Sequence, residues 1–184
     1  MMMKHIPKPM AARLRQRGAT LIEVLVSILL MSAGIVSMAA MQVNAVKFSK
    51  TSEVRSLATL LANDLADRMR ANHPIGADMS VYNQTANYSS APDALPAEAR
   101  KSCTGTTTCV TTEMAAYDMA SWNRDLFRQL PQGTGFVRVA PNDQVDIWVV
   151  WTDPGASIDQ AADACPTNYG ATAGVRCMYF RVAL

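Results

Sequence analysis

The chain has 184 residues, 49% of them hydrophobic, and a formal net charge of +2. That length leaves room for one modest domain beside a membrane anchor. The positive charge is concentrated before Gly18, where five basic residues stand without an acid: Lys4, Lys8, Arg13, Arg15 and Arg17. The rest of the chain has twelve Lys and Arg against fifteen Asp and Glu, a net charge of about −3. No later basic patch is interleaved with aromatic residues, so we do not expect a nucleic-acid surface.

A membrane-length apolar run follows this basic segment. From Val24 to Val46 more than twenty consecutive residues carry no charge, which is enough to cross about 30 Å of hydrocarbon as a helix. The basic residues before it are typical of a segment that stays in the cytoplasm. A secretory signal has a shorter apolar core, although the small residues around 33–40 could imitate its cleavage site. The pattern therefore favours a membrane anchor.

One acidic residue, Glu23, stands at the start of the apolar run. A carboxylate in hydrocarbon costs on the order of several kcal/mol unless it is paired or neutralised, so ordinary anchors avoid it. Glu23 must therefore find a positive partner or take up a proton.

The start of the chain resembles the processing motif of type IV pilins and of the pseudopilins of type II secretion, on the residues Arg17-Gly18-Ala19-Thr20-Leu21-Ile22-Glu23. In that family a membrane aspartyl protease, the prepilin peptidase, cuts after the Gly and methylates the new N-terminus. The resemblance implies a leader of residues 1–18, cleavage between Gly18 and Ala19, N-methylation of Ala19 and an assembly role for Glu23. The departure is Ala19, because the family usually has Phe there.

If the chain is cut before Ala19, each mature subunit offers an amine and a carboxylate about one helical turn apart. We expect the amine of one subunit to pair with Glu23 of a neighbour and to penalise wrong registers. A protonated Glu23, or one that reaches the headgroups, is the alternative.

Past Val46 the apolar pattern becomes amphipathic. One face carries apolar residues at steps of three and four: Val54, Leu57, Ala58, Leu61, Ala62, Leu65 and Met69. Pro74 ends the pattern. We therefore predict one helix with a membrane-spanning half, residues 19–46, and an amphipathic half, residues 47–73. The stretch 66–72, together with the start of the chain, narrows the resemblance to the minor pilins of type IV pili.

The remainder, residues 74–184, is predicted to form a periplasmic head. It consists of a loop over 74–112, a helix over 113–130 and an antiparallel sheet within 135–184. The strands are expected at 135–140, 144–151 and 175–184, and residues 145, 147, 149 and 151 share one face of the second. Asp143, Asp146 and Asp153 fall at turns or on a polar strand face, where solvation is the ordinary explanation. The predicted fold is α+β and pilin-like: a long N-terminal helix on a small sheet of three to four strands.

Four cysteines outside the inner membrane are expected to pair. Of three possible connectivities we favour the two local pairs, Cys103–Cys109 and Cys165–Cys177, while crossed pairings stay open. A metal site is not predicted, because the Cys spacing is not C-x-x-C and His5 and His73 are the only histidines. Some pseudopilins bind calcium near the equivalent of residues 153–163, which stays an alternative. No cofactor is expected.

No catalytic motif appears in the head, so we interpret the protein as a non-enzyme. The leading hypothesis is a minor pilin that primes pilus assembly at or near the tip. Its expected partners are the prepilin peptidase, other minor pilins, the major pilin and the inner-membrane assembly platform, with a tip adhesin as a further candidate. It would sit in the inner membrane, head in the periplasm, before joining a pilus on the cell surface. The alternatives are a type II secretion pseudopilin and a single-pass periplasmic protein with an uncleaved anchor.

Overall fold

The computed structural model describes residues 18–74, 78–85, 93–153, 165–166 and 174–184. The chain divides into two compact units, Met1–Ala45 and Val46–Leu184. The described elements are helix α1 (Leu21–Ala71), a 3-10 turn (Met79–Tyr82), helix α2 (Thr111–Gln129) and strands β1 (Thr134–Ala140), β2 (Gln144–Thr152) and β3 (Val175–Ala183). The predicted α+β, pilin-like fold is confirmed. The leader lies outside the described residues, apart from Gly18.

Helix α1 begins just after Thr20, whose carbonyl accepts the backbone N–H groups of Glu23 and Val24. It ends at Ala71, where the N–H of Asn72 donates to carbonyls of the last turn, shortly before Pro74. Pro disfavours the helical conformation in the residue before it, which explains the stop. The helix is therefore two residues shorter at each end than the predicted 19–73.

From Val46 onward, α1 buries one face in the core of the second unit. The buried residues of this face are Val54, Ala58, Leu61, Ala62, Leu65, Ala66 and Met69. Their spacing is the three- and four-residue periodicity of an amphipathic helix. Leu60 lies on the other side and is 64% exposed. The predicted apolar face is thus the one that packs, with Leu57 only partly buried against it.

Helix α2 packs on α1 through Trp122, whose indole Nε1 donates to the carbonyl of Leu61 at 2.8 Å. Trp122 is fully buried, so this bond satisfies a donor that would otherwise be unpaired in the core. The helix begins two residues before the predicted 113, because Glu113 caps it by accepting from the backbone N–H of Val110. The hydrogen bond from Lys101 and then this backbone bond hold the pKa of Glu113 below its usual range.

The described sheet has three antiparallel strands in the order β1-β2-β3. The turn between β1 and β2 places Asn142 and Asp143 at positive φ, 63° and 54°, a conformation that these two residue types tolerate better than most. On β2 the side chains of Val145, Ile147, Val149 and Trp151 belong to the main hydrophobic core, as the alternation predicts. This inner face of the sheet shares its core with α1 and α2.

The prediction that Asp146 is solvated is wrong. Asp146 lies on the outer face of the sheet, which is the face opposite the core shared with α1 and α2. Its side chain is fully buried, and its two oxygens accept from Arg181 at 2.7 and 3.2 Å, from Arg138 at 2.8 Å and from Tyr179 at 2.7 Å. Burial raises the pKa of this carboxyl, but the hydrogen bonds from Arg181, Arg138 and Tyr179 outweigh burial and hold it well below its usual range. Asp146 is a buried, charge-paired group.

We expect Asp146→Asn to lower the free energy of unfolding by about 2 kcal/mol at pH 7, because hydrogen bonds to a charged acceptor are replaced by weaker ones. The pKa of Asp146 is lower in the folded state than its unfolded value of about 4. The ionised carboxylate therefore stabilises the fold fully above the unfolded pKa, and this stabilisation is lost as the pH falls through the folded pKa. The deficit should stay constant from neutral pH down to about pH 4 and narrow below it. Urea unfolding at a series of pH values measures this, and a deficit that narrows above pH 5 would contradict it.

The predicted loop 74–112 contains a short turn that the sequence did not indicate, and its first and last residues, Met79 and Tyr82, are buried. Tyr82 is fully buried at its end, where its hydroxyl donates to Asp118 at 2.8 Å and accepts from Asn72 at 2.9 Å. Burial raises the pKa of both the Tyr82 phenol and the Asp118 carboxyl. Gln84 then pairs with Val137 through two backbone hydrogen bonds of 2.9 Å. This turn therefore joins α1, α2 and the edge of β1.

Candidate assembly site

The predicted processing junction lies just before α1. Gly18, Ala19 and Thr20 are non-helical and exposed. Among the described residues, none besides its chain neighbours lies within 4 Å of a Cβ atom built on Gly18. The Gly18–Ala19 junction thus lies outside helix α1, and its cleavage stays a prediction.

Glu23 stands in the first turn of α1 and is exposed. An acidic side chain at this position interacts favourably with the positive end of the helix dipole. Its backbone carbonyl accepts from the Ser27 hydroxyl at 2.7 Å, while no residue in the described part of the chain pairs with its carboxylate. The side chain is available to a group from another molecule.

The first half of α1 is long and apolar enough to cross a membrane, and none of its most apolar stretch is buried within the chain. Its serine hydroxyls do not interrupt this surface, because each donates to a carbonyl three or four residues earlier: Ser27 to Glu23, Ser32 to Leu29 and Ser37 to Ala33. Polar groups of a lipid-facing helix need such internal partners.

The structure joins Cys103 to Cys109 and Cys165 to Cys177, with Cα separations of 5.9 and 5.1 Å. These are the two sequence-local pairings. The first closes a small exposed ring, in which the N–H of Thr107 donates to the carbonyl of Thr104. The second holds Cys165 against a small cluster on the outer face of the sheet: Phe136, Trp148, Val150 and Cys177. No prediction from the sequence had included this cluster.

A metal or catalytic centre does not emerge from the residues that the structure describes. No group of three or more His, Cys, Asp or Glu among them is arranged to hold a metal ion. His73 instead approaches Asp143, with 3.6 Å between Nε2 and Oδ1. Nearly all of the calcium-binding alternative, residues 153–163, lies outside the described residues.

Two arginines whose role the sequence did not indicate lie on the outer face of the sheet, on the strands that flank β2. Arg138 on β1 and Arg181 on β3 both stand opposite Asp146 in the register of the sheet. Each arginine has apolar neighbours on both sides along its own strand. This alternation is typical of a solvated side chain and gives no sign of an ion pair. Only the register brings the three side chains together.

Two family models match the chain. A model described as the prokaryotic N-terminal methylation motif matches residues 13–39, which include Gly18, Ala19 and Glu23. A model described as type IV pilin Tt1218, of the Tt1218-like family, matches residues 40–120, which include the second half of α1 and the first half of α2. No curated protein and no solved structure matches.

The type IV pilin family is a structural, non-enzymatic family. The methylation motif implies processing by a peptidase and assembly with other pilins, and together with the apolar helix it fits membrane anchoring and pilus assembly. The two matches follow one another along the chain without a gap, and the fold has the long helix and small antiparallel sheet that the resemblance implies. These findings together support a type IV pilin or pseudopilin.

Proposed function

We propose that this protein is a minor pilin of the type IV pilus, similar to PilV. The prepilin peptidase cuts it between Gly18 and Ala19 and methylates Ala19, and the mature chain enters the filament through α1. The observation that carries the proposal is the methylation-motif match over residues 13–39, continued at once by the pilin match over residues 40–120. The exposed, non-helical segment at Gly18 supports the cleavage step.

In this proposal Glu23 sets the register of the subunit. Its carboxylate pairs with the N-terminal amine of a neighbouring subunit shifted along the filament axis. A buried ion pair contributes little net stability. A register that leaves one of the two charges buried without a partner, however, costs roughly 3–5 kcal/mol. The exposed position of Glu23 in the first turn of α1 leaves it accessible to such a neighbour.

The partners of the mature chain would be other minor pilins, the major pilin and the inner-membrane assembly platform. Before assembly the chain spans the inner membrane once with its head in the periplasm, and afterwards it belongs to the pilus, at or near the tip, where it helps to prime assembly. The two disulfides support a head that matures outside the cytoplasm, since such bonds persist in oxidising compartments.

The proposed processing is tested by mass spectrometry of the protein purified from cells that carry a prepilin peptidase. We expect the mature chain to begin with N-methylated Ala19. The matched control is the same chain from cells without the peptidase, which should keep its leader. A mature chain that still contains Gly18 in peptidase-positive cells would contradict the proposal and favour an uncleaved anchor.

Pilus and secretion roles share every N-terminal feature, so a second measurement separates them. The processed protein should be found in sheared type IV pili and should co-purify with minor pilins of the same system. Co-purification with a type II secretion complex instead would assign it to the pseudopilins.

A further inference from the structure

The outer face of the sheet carries a charged cluster at one end, formed by Arg138, Asp146, Tyr179 and Arg181. We refer to these four residues as the arginine cluster. They come from three neighbouring strands, because Arg138 pairs with Asp146 and Asp146 pairs with Arg181 in the register. The side chains of residues 145, 147 and 149 point the other way, into the core shared with α1. The arginine cluster therefore lies on the side of the head that faces away from α1.

The charges within the cluster do not balance. Two guanidinium groups surround one carboxylate, which leaves an excess of one positive charge. The carboxylate is fully buried, whereas the side chains of Arg138 and Arg181 are 57% and 54% exposed. The negative charge is thus enclosed while the positive charge faces solvent. This is a local exception in a chain that is net acidic beyond Gly18.

The two arginines are held in place before any partner arrives. Asp146 accepts from Nε and Nη2 of Arg181 and from Nη2 of Arg138. Arg138 also lies over the Trp148 ring, 5.7 Å from its centroid, and Trp148 in turn contacts Tyr179. A fixed, planar guanidinium loses little conformational entropy when it binds a carboxylate with its remaining N–H groups.

The other end of the outer face is already covered. Cys165, held by its disulfide to Cys177, packs against Phe136, Trp148 and Val150. At the arginine cluster, by contrast, Tyr179 remains 39% exposed on β3, two residues before Arg181. The open part of the face is therefore cationic with a neighbouring exposed tyrosine, and arginine and tyrosine are both enriched in protein–protein interfaces.

We propose that the arginine cluster docks an acidic segment of a partner protein, whose Asp or Glu carboxylates bind the outward N–H groups of Arg138 and Arg181. Charge complementarity selects an acidic partner, and the arginine–aromatic composition favours a protein. A small anion would need a concave site that encloses it, whereas the cluster spreads across three strands on one face of the sheet. This inference is independent of cleavage at Gly18 and of the assembly role of Glu23.

The test uses the full mature chain in a neutral detergent and measures binding by titration calorimetry. The probes are a glutamate-rich peptide, the same peptide with glutamine at each glutamate, inorganic phosphate and polygalacturonate. We expect the glutamate peptide alone to bind, more weakly as salt rises. Arg138→Gln with Arg181→Gln should reduce its affinity at least about tenfold, because both charged hydrogen-bond donors are lost. The matched control, Lys47→Gln with Lys50→Gln, removes the same charge elsewhere and should leave the affinity unchanged.

The double arginine variant leaves Asp146 with fewer partners and could lower stability. A triple variant that adds Asp146→Asn removes the buried charge as well and should show the same loss of affinity with a folded head, as checked by hydrogen exchange of β2. No binding of the glutamate peptide, equal binding of the glutamine peptide, or unchanged affinity in the arginine variants would overturn the proposal. Binding of phosphate or polygalacturonate as tight as that of the peptide would also overturn it.

Discussion

Glu23→Gln should leave the protein in the membrane and processed at Ala19, but absent from sheared filaments. Glutamine is close to glutamate in size and keeps the helix, yet it cannot form an ion pair with the amine of a neighbouring subunit. Without that pair the correct register is no longer favoured over the wrong ones. Immunoblots of sheared filaments and of membranes from the same cells measure incorporation and abundance separately, and we expect a loss of incorporation of more than about tenfold.

Ser27→Ala is the control for this experiment. Ser27 lies one turn further along α1, and its hydroxyl donates to the Glu23 carbonyl within the helix, so its removal should not affect incorporation. Glu23→Asp, which keeps the charge on a shorter side chain, should retain part of the incorporation. Normal amounts of Glu23→Gln in filaments would contradict the register role and favour a Glu23 side chain that is protonated or at the headgroups.

Trp122→Ala should destabilise the head by about 4 kcal/mol, a value in the middle of the range for truncating a large aromatic core residue. Trp122 is the largest fully buried side chain of the described residues. Its loss leaves a cavity between α1 and α2 and removes the bond to the Leu61 carbonyl. Gly135 packs directly on the ring, so close that a Cβ atom there would overlap it. Hydrogen exchange of the β2 amides in urea measures the effect.

Two variants separate the contributions in this core. Leu60→Ala is the control, because Leu60 lies beside Leu61 on α1 but is exposed, and the expected change is within about 0.5 kcal/mol. Trp122→Phe keeps most of the apolar volume and loses the hydrogen bond, so it should cost less than Trp122→Ala. Equal destabilisation by Leu60→Ala and Trp122→Ala would show that the contact between α1 and α2 does not support the head.

The elements with strong periodicity were predictable from the sequence. The apolar face of α1 repeats every three or four residues, and the alternation at Val145, Ile147 and Val149 determines which side of β2 enters the core. Both signals are local, because each residue's neighbours in sequence determine the face on which it lies. The resemblance at Gly18 and Glu23 is equally local, which is why it could be recognised without the head.

The polar interactions of the head were not predictable in the same way. Asp146 bonds to Arg181, which is 35 residues away, and Tyr82 bonds to Asp118, which is 36 residues away. A lone Asp between apolar residues on a strand has the pattern of a solvated side chain, and only the register of three strands reveals its partners. The turn at Tyr82 is four residues long, too short for any periodicity to show.

The positions of the tryptophans make their fluorescence a measure of the folding of the head. The chain has three tryptophans, Trp122, Trp148 and Trp151, and each is more than nine-tenths buried in the second unit. The apolar half of α1 contains none. Intrinsic tryptophan fluorescence therefore reports the folding of the head and does not report the environment of the membrane-length segment. A detergent micelle, a bilayer or a filament around that segment would leave the emission spectrum unchanged as long as the head stays folded.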